Sequence, residues 1–167
     1  DGNIDLILAN RNNQPNRIYY GPSFSSSSVF GSGNDETRQV AIGDMDGDGD
    51  PDIVAVNIGE KNKIIYNDGR GNFIKSVSFG SSSDRSMSIA LGDLDGDGDL
   101  DIVTGNSGSK NHYYINNDSK FRLNHFSEND KITYGITLGD LNNDGTLDII
   151  ESNSGDVNKI FFNKTQE

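Results

Sequence analysis

Three short stretches of the chain are dense in aspartate, and the stretch at 93–101 shows the pattern. It carries a carboxylate at every second position, as Asp93, Asp95, Asp97, Asp99 and Asp101. Repulsion among these charges would disfavour a compact loop unless a cation lay between them. Calcium takes several oxygen ligands in a variable geometry, so this set favours calcium over magnesium or zinc.

The aspartate-rich stretch recurs along the chain at a nearly constant spacing. The copies begin at Asp44, Asp93 and Asp140, which are 49 and 47 residues apart. A fourth, shorter copy begins the sequence and retains Asp1, Asn3 and Asp5. An asparagine follows the last aspartate of every copy by five residues, as Asn10, Asn57, Asn106 and Asn153. A fixed period of this length indicates a repeat architecture.

Each repeat predicts four short strands and no helix. Apolar runs such as 53–56 are typical of strands buried on both faces, and turn-forming residues separate the runs. A unit of this length with four strands has the size of a propeller blade. Solenoids and sandwiches are the alternatives. We therefore expect an all-β fold of antiparallel blades, with units at about 1–36, 37–85, 86–132 and 133–167.

The two terminal blades are expected to be incomplete. Counting strands gives three, four, four and three across the four blade positions, so the chain does not close a ring alone. Two interpretations remain open: the sequence is part of a larger ring, or two copies meet edge to edge and complete one. Both predict apolar outer faces on the terminal blades, because an unpaired apolar face favours association.

Composition excludes several classes of partner. The net charge is −12, and the acidic excess lies in the aspartate-rich stretches, which argues against nucleic acid and anionic membranes. No apolar run is long enough to span a membrane, so no membrane insertion is expected. The absence of cysteine excludes disulfides and thiolate metal sites.

The aspartate-rich stretches and the period together resemble the FG-GAP/VCBS repeat. The residues that carry the resemblance are the run at 43–53, its copies beginning at Gly92 and Gly139, and the pairs Phe30-Gly31 and Phe79-Gly80. That family forms seven- or eight-bladed propellers in integrin alpha chains, in some fungal lectins and in secreted bacterial proteins. The resemblance implies an extracellular or cell-surface module in which calcium is structural.

The resemblance also implies three calcium sites, with side chains at loop positions one, three, five and nine and a backbone carbonyl at position seven. The first set is Asp44, Asp46, Asp48 and Asp52 with the carbonyl of Asp50. The second is Asp93, Asp95, Asp97 and Asp101 with the carbonyl of Asp99. The third is Asp140, Asn142, Asp144 and Asp148 with the carbonyl of Thr146. Asn142 removes one charge, so the third site should bind more weakly. The truncated first copy should bind no calcium.

Two other interpretations of the loops are weaker. Aspartate and glycine can form plain turns, but three copies in register argue against that reading. The third loop also satisfies the EF-hand pattern through Asp140, Asn142, Asp144, Gly145 and Glu151. An EF-hand needs flanking helices, whereas the flanks here are strand-like, and the other loops lack an equivalent of Glu151.

Two classes of function fit this description. The favoured one is a non-enzymatic, calcium-stabilised module for adhesion or for binding a carbohydrate or protein ligand. The other is a fragment of a propeller enzyme such as a polysaccharide lyase. His112 and His125 have no nucleophile or partner fixed by sequence, so we expect no catalysis. The tyrosines could stack on sugars, although their recurrence with Phe161 and Phe162 favours packing within blades.

Overall fold

A computed structural model describes residues 2–127 and 131–164 as an all-β protein of fourteen strands, with no helix in that part of the chain. The strands are β1 (Leu6–Leu8), β2 (Asn16–Tyr19), β3 (Ser27–Phe30), β4 (Thr37–Gly43), β5 (Asp52–Asn57), β6 (Asn62–Tyr66), β7 (Lys75–Phe79), β8 (Ser86–Gly92), β9 (Asp101–Asn106), β10 (His112–Asn117), β11 (Lys120–His125), β12 (Ile132–Gly139), β13 (Asp148–Ser154) and β14 (Lys159–Phe161). Consequently the described residues contain no helix that could cross a membrane.

The strands form four antiparallel sheets in chain order. We call them blade 1 (β1–β3), blade 2 (β4–β7), blade 3 (β8–β11) and blade 4 (β12–β14). Every strand pairs with its neighbour in sequence, as in a meander. The predicted all-β class and the count of three, four, four and three strands are confirmed. The sheets have the size and connectivity of propeller blades.

The blades pack face to face, and their second strands are the most deeply buried. All six residues of β5 are buried, because the strand lies between two neighbouring sheets. Val54 and Val56 belong to the core that joins blade 2 to blade 3, together with Ile102 and Tyr114. Ile53 points the other way, into the core shared with blade 1. The predicted two-sided burial of the run 53–56 is therefore confirmed, and it explains why the run does not alternate with polar residues.

A glycine closes each first strand where the next blade approaches most closely. A Cβ on Gly43 would lie 2.6 Å from Cδ1 of Leu100 and 3.1 Å from Cδ1 of Leu91, both in blade 3. A Cβ on Gly92 would lie 2.7 Å from Cδ1 of Leu147 in blade 4. The glycine of the Gly-Asp pair is thus required by packing between blades, in addition to any requirement of the loop itself.

Asparagine amides join the blades at the ends of the sheets opposite the aspartate-rich loops. Asn62 accepts a hydrogen bond from the backbone N–H of Asn57 at 2.9 Å and donates one to Oγ of Ser86 in blade 3 at 3.0 Å. Asn111 repeats the arrangement with Asn106 in its own blade and with Thr133 in blade 4. Each first strand also carries a register shift beside its hydroxyl residue.

A buried histidine lies at the joint between blades 2 and 3. His112 is 6% exposed, its Nδ1 lies 3.6 Å from Oδ2 of Asp84, and its ring is 4.8 Å from that of His125. Burial lowers the pKa of His112 below its ordinary value of 6.5, although the Asp84 carboxylate acts in the opposite direction. The equivalent pair between blades 1 and 2 is Asp35 with Lys63.

His112 should make the free energy of unfolding depend on pH. Near pH 6.5 the unfolded chain binds a proton at His112 more readily than the folded chain does. The contribution of neutral His112 to the free energy of unfolding is therefore complete above pH 6.5. The contribution is lost as the pH falls from 6.5 towards the lowered pKa of the folded state. Urea unfolding of the wild type and of His112→Gln between pH 5 and 8 gives the free energy of unfolding of each protein as a function of pH. The difference between the slopes of the two profiles measures the effect of His112, because titrating groups common to both proteins cancel. Parallel pH profiles for the two proteins would contradict the assignment.

Candidate metal centre

The three aspartate-rich loops occupy the same place in their blades. Each one connects the first strand to the second, between β4 and β5, between β8 and β9, and between β12 and β13. Because the strands of a blade alternate in direction, the three loops lie at the same end of their sheets. All of the predicted ligands of a given site therefore come from one short loop and from the first residue of the strand that follows.

The first aspartate of each loop organises the turn. The Asp44 carboxylate accepts backbone N–H groups from Gly47 and Gly49, both at 2.8 Å. Asp93 does the same with the equivalent glycines, at 2.7 and 3.0 Å. Gly47 and Gly49 have φ values of 75° and 92°, which a side chain would disfavour, so glycine at these places lets the loop wrap around the carboxylate.

The ninth residue of each loop is a fully buried carboxylate held by two backbone N–H groups. Asp101 accepts hydrogen bonds from Leu94 at 2.7 Å and from Asn116 at 2.8 Å, and its exposed fraction is 0%. Asp52 and Asp148 accept equivalent pairs of bonds at 2.8–2.9 Å. This carboxylate thus ties the start of the loop to the end of the third strand.

Carboxylates converge in two of the three loops. Asp44, Asp46 and Asp48 each offer an oxygen within 4.8 Å of the others, and so do Asp93, Asp95 and Asp101. Asp52 and Asp97 lie outside these groups, and Asp99 accepts the backbone N–H of Asp118 at 3.3 Å. Oxygen-only, anionic donors on a tightly turned backbone fit a calcium ion. The first loop would supply ligands to this ion from positions one, three and five, and the second loop from positions one, three and nine.

The third loop differs from the other two around Asn142, as its sequence suggests. Asn142 donates its side-chain N–H to Oδ2 of Asp144 at 2.8 Å, and the amide oxygen accepts the backbone N–H of Asp144. Thr146 donates its hydroxyl to Asp144 at 2.6 Å, and these bonds lower the pKa of that carboxyl. Within the described ranges, this loop forms no comparable group of three carboxylates. The expectation that it binds more weakly than the other two stays a prediction.

The structure also places residues of the EF-hand alternative and of the truncated first copy. Glu151, which completed the EF-hand pattern, lies buried in β13 and accepts side-chain N–H groups from Asn111 and Asn153. In the truncated first copy, Asp5 accepts the backbone N–H of Gly21 at 2.9 Å, whereas Asp1 lies outside the described residues. Strands flank all three complete loops, so the EF-hand alternative is wrong.

Crowding of carboxylates raises their affinity for protons in the absence of a cation. Burial, together with the charges of Asp95 and Asp97, raises the pKa of Asp101 to about 6 despite its two backbone hydrogen bonds. Burial also raises the pKa values of Asp46 and Asp52, with neighbouring loop carboxylates adding to the effect. A divalent cation among these oxygens would remove that electrostatic cost.

Strand pairing and packing between blades place both histidines, Tyr66 and Tyr114. His112 and His125 are cross-strand partners on β10 and β11. Tyr66 and Tyr114 are buried in the core between blades 2 and 3, and the Tyr114 ring meets that of Phe79 edge to face at 5.0 Å. Packing is therefore the role of these two tyrosines, as the recurrence of aromatic residues indicated.

Sequence reasoning missed one set of residues that supports the loops. Asn67, Asn116 and Asn163 each follow the ninth loop residue by fifteen positions, and each donates its backbone N–H to that carboxylate. Asn116 and Asn163 also donate a side-chain N–H to the loop of the preceding blade, at the carbonyls of Met45 and Leu94. Their fixed offset was visible in the sequence and could have identified them.

Comparison with known proteins agrees with the repeat. The family described as FG-GAP-like repeat matches residues 1–55, 44–104 and 95–151. No curated protein matches the chain.

Two substitutions in the second loop should distinguish a carboxylate that supports the backbone from one whose role is to bind a cation. In Asp101→Asn, the side-chain amide N–H faces a buried backbone N–H, which thereby loses its acceptor. The free energy of unfolding in chelator should therefore fall by about 1–3 kcal/mol. Asp95 is exposed and, among the described residues, accepts no backbone hydrogen bond. Asp95→Asn should therefore change stability in chelator by less than about 0.5 kcal/mol. Equal losses in chelator, measured by urea unfolding, would refute this division of roles.

Proposed function

Because this chain belongs to the FG-GAP-like repeat family, we propose that it is a calcium-binding propeller module of a secreted or cell-surface protein. In this proposal calcium is structural, and surfaces between the blades bind a carbohydrate or protein ligand during adhesion or recognition. The enzyme alternative has no specific observation in its favour among the described residues.

The observation that carries the proposal is the convergence of three carboxylates in equivalent loops of two adjacent blades. Three carboxylates within 4.8 Å of one another repel, and a cation among them would compensate that repulsion. The groups use loop positions one, three and five in blade 2 and positions one, three and nine in blade 3, and convergence in both loops supports a role that belongs to the repeat itself. A site specific to one substrate would instead be built from different residues in different blades.

The position of the loops supports a structural role for calcium. Each loop joins the first and second strands of a blade, and in the first two loops the second residue, Met45 or Leu94, is buried against the next blade. An ion that fixes the loop would therefore also fix the joint between blades. Extracellular calcium modules bind with dissociation constants on the order of 10⁻⁴ to 10⁻³ M, which suits a calcium-rich environment outside the cytoplasm.

Calcium should raise the midpoint of thermal unfolding, and magnesium at the same concentration should raise it much less. The half-maximal effect is expected on the order of 10⁻⁴ to 10⁻³ M. The double variant Asp46→Asn/Asp95→Asn should lose most of the calcium-dependent gain, measured by differential scanning calorimetry. Asp156→Asn is the matched control, because Asp156 lies near the turn at the other end of blade 4. An unchanged midpoint after exhaustive chelation would refute the structural role of calcium.

The surface best suited to a ligand is a groove between blades 3 and 4. It has a volume of about 940 Å³ and runs beside the second aspartate-rich loop. Its lining combines acidic, basic and aromatic residues, including Asp93, Asp95, Tyr113, Arg122, Phe161 and Lys164. Aromatic faces with nearby charged groups suit a sugar, because rings stack on apolar sugar faces while polar side chains bond hydroxyls.

A glycan array probed with and without calcium tests the carbohydrate proposal. We expect binding in calcium, loss of binding in chelator, and weaker binding by Arg122→Ala. Arg17→Ala is the matched control, because Arg17 lies on β2 in blade 1, away from the groove. If calcium raises the midpoint of thermal unfolding but no glycan binds, the calcium proposal stands and the carbohydrate proposal is refuted.

A further inference from the structure

The joint between blades 2 and 3 carries a group of polar side chains that lies outside the aspartate-rich loops. His112 and His125 are directly opposite each other on β10 and β11, so both side chains leave the same face of blade 3. Their rings lie 4.8 Å apart. Asp84 lies on the connection from blade 2 to blade 3, and its Oδ2 is 3.6 Å from Nδ1 of His112. Two imidazoles and a carboxylate that are distant in sequence are therefore neighbours in the fold.

The same three side chains line one cavity. The cavity has a volume of about 690 Å³, and its other walls include Phe79 and Phe121 from the outer strands of the two blades. Asp84 and His112 are 7% and 6% exposed, whereas His125 is exposed. Two of the three polar groups are thus held in place by burial, and the third can rotate towards them.

The surroundings of Nδ1 of His112 have the spacing of a metal site. Three polar atoms lie around this nitrogen: the Tyr114 hydroxyl at 3.3 Å, the Asn106 amide nitrogen at 3.5 Å and Oδ2 of Asp84 at 3.6 Å. Good hydrogen bonds of this type are shorter, at about 2.7–3.2 Å. Two ligands at about 2.0–2.1 Å from a tetrahedral zinc ion are about 3.4 Å apart. The separation of Asp84 and His112 is therefore close to that of two ligands of one ion.

The preceding joint shows what this carboxylate lacks. Between blades 1 and 2 the equivalent Asp35 pairs with the ammonium group of Lys63, which carries a permanent charge. Within residues 2–127 and 131–164, Asp84 makes no ion pair with a lysine or an arginine. Burial lowers the pKa of His112, so its imidazole is neutral at pH 7 and leaves the Asp84 charge in place. Neutral imidazole is also the form that binds metals.

We propose that Asp84, His112 and His125 bind a divalent transition-metal ion such as zinc. Two imidazoles and a carboxylate suit zinc, whereas calcium takes oxygen ligands only. Among the described residues, the potential ligand atoms of these three side chains do not all lie within 4.8 Å of one another. Binding therefore requires the exposed His125 to turn towards the other two. The backbone N–H of Ser81 donates to Oδ2 of Asp84 at 2.9 Å, which orients the carboxylate.

The ion would hold the joint at the end away from the aspartate-rich loops. Asp84 belongs to the connection between the blades, and the two histidines belong to the third and fourth strands of blade 3. Zinc would therefore tie that connection to the outer half of blade 3. The inference uses no residue of the loops, so it does not depend on whether they bind calcium.

Titration of the chain with zinc in millimolar calcium tests the proposal. The sequence has two histidines, so a long-range ¹H–¹⁵N NMR spectrum contains two imidazole systems. We expect one equivalent of zinc to shift the ring nitrogens of both, and calorimetry to give one site. His125→Gln removes a ligand at an exposed position. It should weaken zinc binding by at least about 10-fold, the loss that removal of an outer partner alone typically causes.

A double variant removes the site with a pair that the fold already accepts. His112→Lys/His125→Ser reproduces the preceding joint, where Lys63 is opposite Ser78 and bonds to Asp35. It should unfold at about the wild-type midpoint without zinc, and zinc should no longer raise that midpoint. If this variant does not fold, His125→Gln decides alone.

Asp46→Asn/Asp95→Asn is the control for the aspartate-rich loops, because it removes one carboxylate from each of the two converging groups. It should bind zinc as tightly as the wild type does. Zinc binding that is lost in this control but survives His112→Lys/His125→Ser would place the ion in the loops and overturn the proposal. A shift of His125 alone would mean a single surface ligand and would also overturn it, as would the absence of binding at millimolar zinc.

Discussion

The buried carboxylate at the ninth position of each loop holds together three parts of a blade that are distant in sequence. It accepts one N–H from the loop and another from the end of the third strand, so the loop cannot move independently of the sheet. Burying a carboxylate is costly unless its oxygens are hydrogen-bonded, and here both oxygens are. The second loop residue, fixed by this bond, then packs against the next blade. Loop geometry and the joint between blades therefore depend on the same group.

Electrostatic repulsion in the loops is balanced only in part by the protein itself. Backbone N–H groups of Gly47 and Gly49 offset the charge of Asp44, but the buried Asp101 still has its pKa raised to about 6. Hydrogen bonds thus fix the shape of the loop while a surplus of negative charge remains at its centre. A preorganised loop with uncompensated charge is what a structural cation site requires, because binding then relieves repulsion and costs little ordering of the backbone.

The architecture was predictable from the sequence because the repeat imposes it many times. Fixed offsets between the aspartate stretches, the apolar runs and the aromatic pairs predicted fourteen strands, and the unbroken apolar run placed Ile53 and Val54 in a strand buried on both faces. The candidate ligands in the loops could be named from the sequence, but not which of their carboxylates converge. Asp52 and Asp101 occupy equivalent positions, yet only Asp101 joins a group of three carboxylates. That difference depends on small shifts of side-chain oxygens, which residue types do not determine.

The asparagines show a different limit of sequence reasoning. Asn57 and Asn106 recur at a constant offset, which indicates a role without saying what the role is. In the structure they close turns through backbone carbonyls and meet Asn62 and Asn111, whose amides reach into the next blade. Asn62 and Asn111 donate to hydroxyls that lie 24 and 22 positions further along the chain. Contacts of this kind appear only when two repeats are placed side by side.

The contact between glycine and leucine at the joints between blades 2 and 3 and between blades 3 and 4 gives the row of blades a direction. One face of a blade offers the glycine, and the opposite face of the next blade offers the leucines, so the joint is heterologous and the two faces differ. Identical faces cannot meet through this contact, because two glycine faces would leave a void and two leucine faces would collide. Head-to-tail growth ends only when the rotation between blades closes a ring. A terminal face therefore cannot form this contact with a copy of itself, even though it is apolar.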